Sequence, residues 1–356
     1  MNLWLLGLEP HDSRYTKQWR DHIPVQLERA ARRLGRDDIQ IRIIEGAETD
    51  ERTTPGAFLN FAGTNIYKSS QIMKVAQAFQ DGLVQPHDHF LVTDAWHPGI
   101  IQIRYMSDLL GIPVEIHALW HAGSYDPSDI LGREIPDKRW SFAFERALFH
   151  AIDVNYFATD FHIGLFKAGL GIDDGGRIVR AGWPTEHIRP MATPYRSAAK
   201  RPLVTFPHRL APEKQVEIFD DLAQEFPEYE FYVSQRHRLT KAEYYKGLGE
   251  SLLVFSCSQQ ETLGLGIFEG MLCGAVPLVP DRLSYAEIYP GEFRYPSEWT
   301  KNWDAYLRHK QKLCEHLRVV LDQITAGGSY KDLGLIADRL EEKFFCGNAI
   351  YEKLLS

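Results

Sequence analysis

Short apolar runs alternate with amphipathic stretches from one end of the chain to the other, and no other feature constrains the fold as strongly. The apolar runs have the length of buried strands, and the stretches between them repeat with a helical period. Strand, helix and strand in steady alternation indicate parallel pairing with crossover helices, hence an α/β protein. In the first half, strands are predicted at residues 3–8, 39–44, 90–93, 114–118 and 155–158, and helices at 67–79, 101–110 and 142–152.

A proline-bearing basic segment at residues 189–202 interrupts this alternation and is typical of a linker. A chain of 356 residues exceeds one ordinary domain of roughly 100–200 residues. We therefore predict two Rossmann-like domains that face each other across a cleft, residues 1–190 with a C-terminal helix at 333–356 packing back on them, and residues 200–330. After the linker, strands are predicted at 203–206, 230–233, 252–256 and 276–279, and helices at 212–225, 240–248 and 265–273.

Composition narrows the class of protein further. Apolar residues make up 44% and charged residues 25%, which are the averages of a globular protein rather than a disordered or fibrous one. The sequence contains no run of about 18 apolar residues, so no spanning helix is predicted. The four cysteines show no paired spacing, which favours a reduced, cytoplasmic protein without disulfides or a zinc site. They are Cys257, Cys273, Cys314 and Cys346.

The most informative motif lies at residues 258–270, where Glu261 and Glu269 are separated by seven residues. Gly264 and Gly266 lie between them and would let a ligand approach the backbone closely. Free N–H groups at the start of the predicted helix can hold phosphate oxygens. A diphosphate between two polyols, as in a nucleotide sugar, suits this arrangement. The alternative is that both glutamates are ordinary helix carboxylates, one of them favoured by the helix dipole.

Two cations follow the first predicted strand of the second domain, Arg209 before a helix and Lys214 at its start. Ligands of α/β proteins bind at the carboxyl ends of strands, where this pair lies. Arginine offers a bidentate fork to phosphate and lysine offers a point charge. Neither domain carries a Gly-x-Gly-x-x-Gly motif after its first strand, which disfavours a dinucleotide dehydrogenase.

These motifs resemble those of GT-B glycosyltransferases of the family 4 type. Arg209 and Lys214 match that family's Arg…Lys pair, Glu261 and Glu269 match its Glu-x7-Glu motif, and residues 272–279 resemble the strand that follows. The resemblance implies that the cations hold the diphosphate, the first glutamate and Gly264 the donor sugar, and the second glutamate the ribose. The donor-binding residues implied are Arg209, Lys214, Glu261, Thr262, Leu263, Gly264 and Glu269.

The resemblance also implies that the protein transfers a hexosyl or pentosyl group and that the anomeric configuration is retained. The sequence has no Asp-x-Asp triplet at a strand end, so we expect no metal or other cofactor. The diphosphate must then be neutralised by the two cations and by helix N–H groups.

In the first domain, His121 follows a predicted strand and resembles the family's active-site histidine. Asp94 leaves another strand end and could bind an acceptor hydroxyl or cap the next helix. The predicted catalytic set is therefore His121, Asp94 and Glu261, and the predicted acceptor-binding residues are Arg14, Tyr15 and Trp96.

The acceptor is less constrained by the sequence. Residues 9–19 and 280–290 look similar to phage-encoded glycosyltransferases, some of which modify hydroxymethylated pyrimidines such as hydroxymethylcytosine in viral DNA. A duplex DNA acceptor would require the base to leave the stack. The net charge of −8 argues against strong DNA affinity. Glycans, lipids and small metabolites remain alternatives as acceptors, and a nucleotide-sugar epimerase or a non-catalytic binding module remain alternatives as functions.

Overall fold

The computed structural model describes residues 1–10, 15–48, 60–173, 175–327, 330 and 332–356, with the side chain of Tyr15 left out. The chain divides into two compact units. The first unit is Met1–Thr185 with Cys346–Ser356, and the second is Glu186–Phe345. The observed division therefore lies a few residues before the predicted linker.

The first unit contains a six-stranded parallel sheet with the strand order β2-β1-β3-β4-β5-β6. The five strands predicted from the sequence are present, and a sixth extends the sheet. The strands are β1 Asn2–Leu6, β2 Gln40–Ile43, β3 His89–Val92, β4 Glu115–Leu119, β5 Val154–Phe157 and β6 Ile178–Arg180. The helices are α1 Tyr15–Arg33, α2 Phe61–Gln80, α3 Gly99–Leu110, α4 Ile130–Glu134, α5 Lys138–Ala151 and α6 Asp160–Leu170.

The centre of this sheet is covered on both faces. All four residues of β3 are buried, and the Trp4 ring of β1 stacks on Phe90 at a centroid distance of 5.9 Å. Strands buried on both faces read as continuous apolar runs, which is why they were predictable from the sequence.

The second unit contains a five-stranded parallel sheet with the order β11-β10-β9-β7-β8. Its strand order reverses between β7 and β9, which makes this a topological switch point. The strands are β7 Leu203–Phe206, β8 Glu230–Val233, β9 Leu253–Phe255, β10 Val276–Pro280 and β11 Arg294–Tyr295. The helices are α7 Ile188–Ala192, α8 Val216–Ala223, α9 Lys241–Glu250, α10 Leu265–Leu272, α11 Leu283–Ile288, α12 Trp303–Thr325 and α13 Leu333–Phe344.

The segment predicted as a linker is partly helical. Residues 188–192 form α7, and Arg189 of this helix pairs with Asp338 Oδ1 at 2.7 Å and with Glu341. The proline and the charges favoured a linker in the sequence, but these carboxylates of α13 neutralise Arg189 and hold the segment within the second unit.

The single C-terminal helix predicted at residues 333–356 is divided into two helices in the structure. The chain leaves α13 at Phe345 and begins a separate helix, α14 Asn348–Leu355, which belongs to the first unit. Phe345 stacks on Phe268 of α10, whereas Glu352 of α14 pairs with Arg33 of α1 at 2.8 Å. Both helices carry apolar stripes, so the sequence pattern did not reveal that they pack on different partners.

Among the helices of the described ranges, none has both the length and the apolar character needed to cross a bilayer.

Candidate functional site

The two loops that carry the predicted donor-binding residues leave neighbouring strands. Residues 207–214 follow β7, residues 256–264 follow β9, and these strands pair in parallel. The carboxyl ends of parallel strands lie at one edge of a sheet, so the loops meet. The backbone N–H of Gln259 donates to the carbonyl of Glu213 at 2.8 Å and ties one loop to the other.

Lys214 points inward because the predicted helix at residues 212–225 is broken. Gln215 has φ 53°, which separates a 3₁₀ turn ending at Lys214 from α8. The ammonium Nζ donates to the Gln260 carbonyl at 2.5 Å and to Glu261 Oε2 at 3.0 Å. Lys214 is only 4% exposed, so this is a buried ion pair. The two strand-end loops are thereby joined by charge.

The Glu261 carboxyl is held in its ionised form. Burial by itself would raise the pKa of Glu261, but the charge of Lys214, together with hydrogen bonds from Lys214 and the Gly264 backbone, lowers this pKa below its ordinary value. A negative charge therefore persists at this point of the loop, where it can accept hydrogen bonds from hydroxyl groups.

Arg209 does not share the environment of Lys214. Its Nη2 pairs with the buried carboxylate of Glu213, and the side chain is 31% exposed. The sequence predicted two cations directed at one phosphate, and the structure gives each cation a carboxylate partner of its own. A ligand phosphate would have to share the guanidinium with Glu213, and the five donors of arginine permit this sharing.

Gly264 lies where the loop after β9 enters α10. It has φ 77°, and a Cβ added there would lie 2.7 Å from Tyr285 Cε1. The position thus requires glycine both for its backbone conformation and for space. Of the two neighbouring residues predicted to bind donor, Thr262 is half-buried and Leu263 is 3% exposed. The Leu263 side chain therefore packs in the unit, and its contribution to a ligand would come from its backbone.

Glu269 of α10 is bonded to two tyrosines. Tyr244 donates to Oε2 at 2.9 Å and Tyr245 donates to Oε1 at 2.8 Å. Burial raises the pKa of Glu269, and the two hydroxyl donors partly oppose that rise. A carboxylate accepts about four hydrogen bonds, so the tyrosines orient it and leave capacity for further donors.

Two residues that the sequence analysis missed fix the backbone of the loop after β9. Gln215 Nε2 donates to the carbonyls of Cys257 at 2.5 Å and Thr300 at 2.9 Å. Arg282 donates from Nη2 to Cys257 O and from Nε to Ser258 O, both at 2.8 Å. Neither residue had a local signal, since an isolated glutamine or arginine is ordinarily a surface residue.

In the first unit, Asp94 follows β3 and forms an ion pair. Lys68 of α2 donates from Nζ to Asp94 Oδ2 and to the Trp96 carbonyl, both at 2.6 Å. The backbone N–H of Trp96 donates to Asp94 Oδ1 at 3.1 Å. The next helix, α3, has Pro98 at its N-cap, so the interpretation of Asp94 as a helix cap is wrong.

We expect this ion pair to give a pH-dependent contribution to stability. Burial by itself would raise the pKa of Asp94, but the charges of Lys68 and His121 lower it from 3.8 to about 2. The contribution, about 2 kcal/mol, is therefore complete above pH 4 and is lost as the pH falls towards 2. Urea unfolding should show that the stability difference between wild type and Asp94→Asn shrinks over this range. The exposed Asp108→Asn serves as the control, and a pH-independent difference for Asp94→Asn would contradict the prediction.

His121 follows β4, as predicted. Its Nε2 lies 2.6 Å from the carbonyl of Thr93, the residue that directly follows the neighbouring strand β3. The imidazole packs against two tryptophan rings, with centroid distances of 5.4 Å to Trp19 and 5.1 Å to Trp183. The first unit thus brings His121 and Asp94 to the same sheet edge, where the charge of His121 acts on Asp94.

Trp96 is positioned by a buried carboxylate that the sequence analysis missed. Its Nε1 donates to Glu145 Oε1 at 2.8 Å, and the same oxygen accepts the backbone N–H of Ser124 at 2.5 Å. Burial raises the pKa of Glu145. A signal was present, because Glu145 falls on the buried face of α5 with Ser141 and Leu148, where an apolar residue is expected.

Of the predicted acceptor-binding residues, Arg14 and the side chain of Tyr15 lie outside the described residues. Within the described ranges, no group of three or more His, Cys, Asp and Glu residues could hold a metal ion.

No protein-family model matches this chain. The tRNA-queuosine alpha-mannosyltransferase of Drosophila melanogaster is 30% identical over 96 residues, which is 25% of this chain and 26% of that protein. The match thus spans about a quarter of the length of that curated relative.

Solved structures resemble the whole chain. The catalytic domain of starch synthase IV from Arabidopsis thaliana superposes with a TM-score of 0.58 at 11% identity, covering 99% of this chain and 98% of that one. Sucrose-phosphate synthase from Thermosynechococcus elongatus superposes with a TM-score of 0.56 at 13% identity, covering 97% of this chain and 99% of that one. HepE from Anabaena superposes with a TM-score of 0.53 at 12% identity, covering 99% of this chain and 97% of that one. The chain therefore has a GT-B glycosyltransferase-like fold, which confirms the predicted fold class.

Proposed function

We propose that the protein is a glycosyltransferase that moves a sugar from a nucleotide-sugar donor to an acceptor hydroxyl. The observation that carries this proposal is the buried Lys214–Glu261 ion pair, which joins two strand-end loops at the switch point of the second sheet. Cations and ionised carboxylates together suit a ligand with a diphosphate between polyols. The structural neighbours support the choice of ligand, since starch synthase IV was solved with ADP and acarbose and HepE with UDP and glucose.

In this proposal, Lys214 and Arg209 neutralise the charge that develops on the leaving diphosphate. Preorganised donors of this kind commonly contribute a factor of about 10²–10³ each to the rate. Glu261 and Gly264 hold the donor sugar, and Glu269, oriented by its two tyrosines, accepts from the ribose hydroxyls. Transfer is metal-independent and retaining, as the resemblance to family 4 implies.

His121 and Asp94 are the proposed catalytic residues of the first unit. Asp94 is anionic at neutral pH because its pKa is about 2, so it can accept a hydrogen bond from a hydroxyl but does not hold a proton to donate. His121 is proposed to contact the donor sugar through its imidazole ring, and Trp96 to contact the acceptor.

For the acceptor, we propose a hydroxyl carried by a modified nucleobase, with 5-hydroxymethyl pyrimidine in phage DNA as the specific candidate. The partial match to an enzyme named for tRNA-queuosine supports a nucleobase acceptor in general. The net charge of −8 means that a nucleic acid would be held by a local basic surface.

We expect mass spectrometry to detect one added sugar on an acceptor. The protein is incubated with UDP-glucose, ADP-glucose or GDP-mannose, together with hydroxymethylcytosine DNA, queuosine-containing tRNA or no acceptor. Glu261→Gln should lose transfer, and Glu315→Gln, an exposed carboxylate of α12, should retain it. A sugar on DNA supports the specific candidate, and a sugar on tRNA supports the general one. Conversion of donor without any acceptor would point to an epimerase, and no change in any reaction would contradict the proposed activity.

A further inference from the structure

The loop after β7 contains a buried histidine whose chemistry the proposed function does not use. His208 is 7% exposed, and within the described part of the chain its Nε2 has no hydrogen-bond partner. More than nine in ten buried polar groups in native proteins have a partner, so such a nitrogen calls for an explanation. Its ring packs on Phe206 at a centroid distance of 4.9 Å, which holds the imidazole in place.

Burial and the neighbouring charged groups determine the protonation state of His208. Burial, followed by the charges of Lys214 and Arg209, lowers the pKa of His208 to about 3, although Glu261 opposes this shift. The imidazole is therefore neutral at physiological pH and carries a single N–H. It cannot act as a third cation for a phosphate.

The geometry also favours one tautomer. Nδ1 lies 4.0 Å from Glu261 Oε2, so the carboxylate attracts the proton to that nitrogen. Nε2 is then a lone-pair acceptor, since a neutral imidazole has one donor and one acceptor nitrogen. An acceptor nitrogen can bind the O–H of a hydroxyl group, and it repels the oxygens of a phosphate, which are acceptors themselves.

Glu261 has a second neighbour of the same kind. The hydroxyl of Tyr289, 2% exposed, likewise has no hydrogen-bond partner among the described residues, and the charge of Glu261 contributes to raising the pKa of Tyr289. Two buried neutral polar groups therefore have the Glu261 carboxylate as a charged neighbour.

We propose that His208 Nε2 accepts a hydrogen bond from a hydroxyl of the bound donor, which makes His208 a residue that distinguishes polyol from phosphate in this site. The proposal rests on the proposed function, because it takes a nucleotide sugar as the ligand. It assigns different ligand groups to residues of one loop: Arg209 and Lys214 bind the charged phosphates, and His208 binds a neutral hydroxyl group.

Calorimetry of wild type, His208→Phe and His208→Asn tests this proposal. The probes are whichever of UDP-glucose, ADP-glucose and GDP-mannose the wild type binds, the corresponding nucleoside diphosphate, and inorganic pyrophosphate. Phenylalanine keeps the ring packing and removes both nitrogens, and asparagine restores an acceptor oxygen. We expect His208→Phe to bind the nucleotide sugar about 5–10-fold more weakly, to bind pyrophosphate as wild type does, and to unfold at the same temperature or higher. Asparagine should recover part of the loss.

The probes separate the possible results. If His208→Phe loses affinity for the nucleotide sugar alone, the hydroxyl belongs to the transferred sugar. If it loses affinity equally for the nucleoside diphosphate, the hydroxyl belongs to the ribose. Weaker pyrophosphate binding by His208→Phe, or unchanged binding of every probe, would overturn the proposal. Wild type that binds pyrophosphate but no nucleotide sugar of the panel would instead refute the proposed function.

Discussion

Replacing Lys214 by methionine is expected to reduce kcat/KM for sugar transfer by about 10²–10³-fold and to lower the free energy of unfolding by about 3–5 kcal/mol. Lys214 is buried, and its Nζ bonds to Glu261 Oε2 at 3.0 Å. Its loss would leave the Glu261 carboxylate, which is 17% exposed, without its counter-charge. The activity effect has a separate cause, since the leaving diphosphate would lose a preorganised cation. Steady-state kinetics and urea unfolding measure the two effects.

A double variant separates the two causes. In Lys214→Met with Glu261→Gln, the buried negative charge is gone, so much of the lost stability should return while transfer stays absent. Because Lys214 is buried against Glu261, its substitution alone is expected to cost stability as well as activity. Recovery of transfer in the double variant would contradict the proposed roles of both Lys214 and Glu261.

The second large effect is expected for Gly264→Ala. A left-handed φ of 77° costs an alanine about 1–2 kcal/mol. The added methyl would also lie 2.7 Å from Tyr285 Cε1, and overpacking of this kind costs about 1–3 kcal/mol more. Tyr285 is fully buried and its hydroxyl is bonded to Ser256 at 3.0 Å, so the ring cannot move aside. The loop would shift instead, and a shift of about 1 Å typically lowers the rate by about 10²-fold.

Gly247→Ala is the matched control for this prediction. Gly247 lies inside α9, and no described atom lies within 4 Å of the position its Cβ would take. Alanine there should raise stability by about 0.5–1 kcal/mol and leave transfer unchanged. Thermal unfolding and kinetics of the two variants decide the matter. If Gly264→Ala is as stable as wild type, the start of α10 can relax around the added methyl and the prediction is wrong.

Much of the fold was predictable because parallel strands buried on both faces give continuous apolar runs. The strands β7 and β8 begin and end where the sequence placed them, and the other predicted strands differ by a residue or two. The short edge strands β6 and β11 were not predicted. The sequence pattern also located the two motif loops, because a loop that follows a buried strand must leave the carboxyl edge of the sheet.

Side-chain partners were not predictable, because they depend on contacts between distant parts of the chain. Packing decides three such sets of contacts: the ion pair of Arg209 with Glu213, the hydrogen bonds from two tyrosines to Glu269, and the hydrogen bond from Trp96 to Glu145. The same holds for the division of the C-terminal stretch into α13 and α14, since an apolar stripe does not specify the surface that covers it.

The sequence by itself therefore determined the α/β class, the order of nine of the strands and the residues of the motif loops, because hydrophobic period and glycine positions are local properties. The tertiary structure alone decided the charge state and direction of those residues. Gln215 turns Lys214 inward, where it pairs with Glu261, and burial together with the charge of Lys214 keeps His208 neutral. Burial and neighbouring charge depend on distances between residues far apart in the chain, and no local pattern encodes those distances.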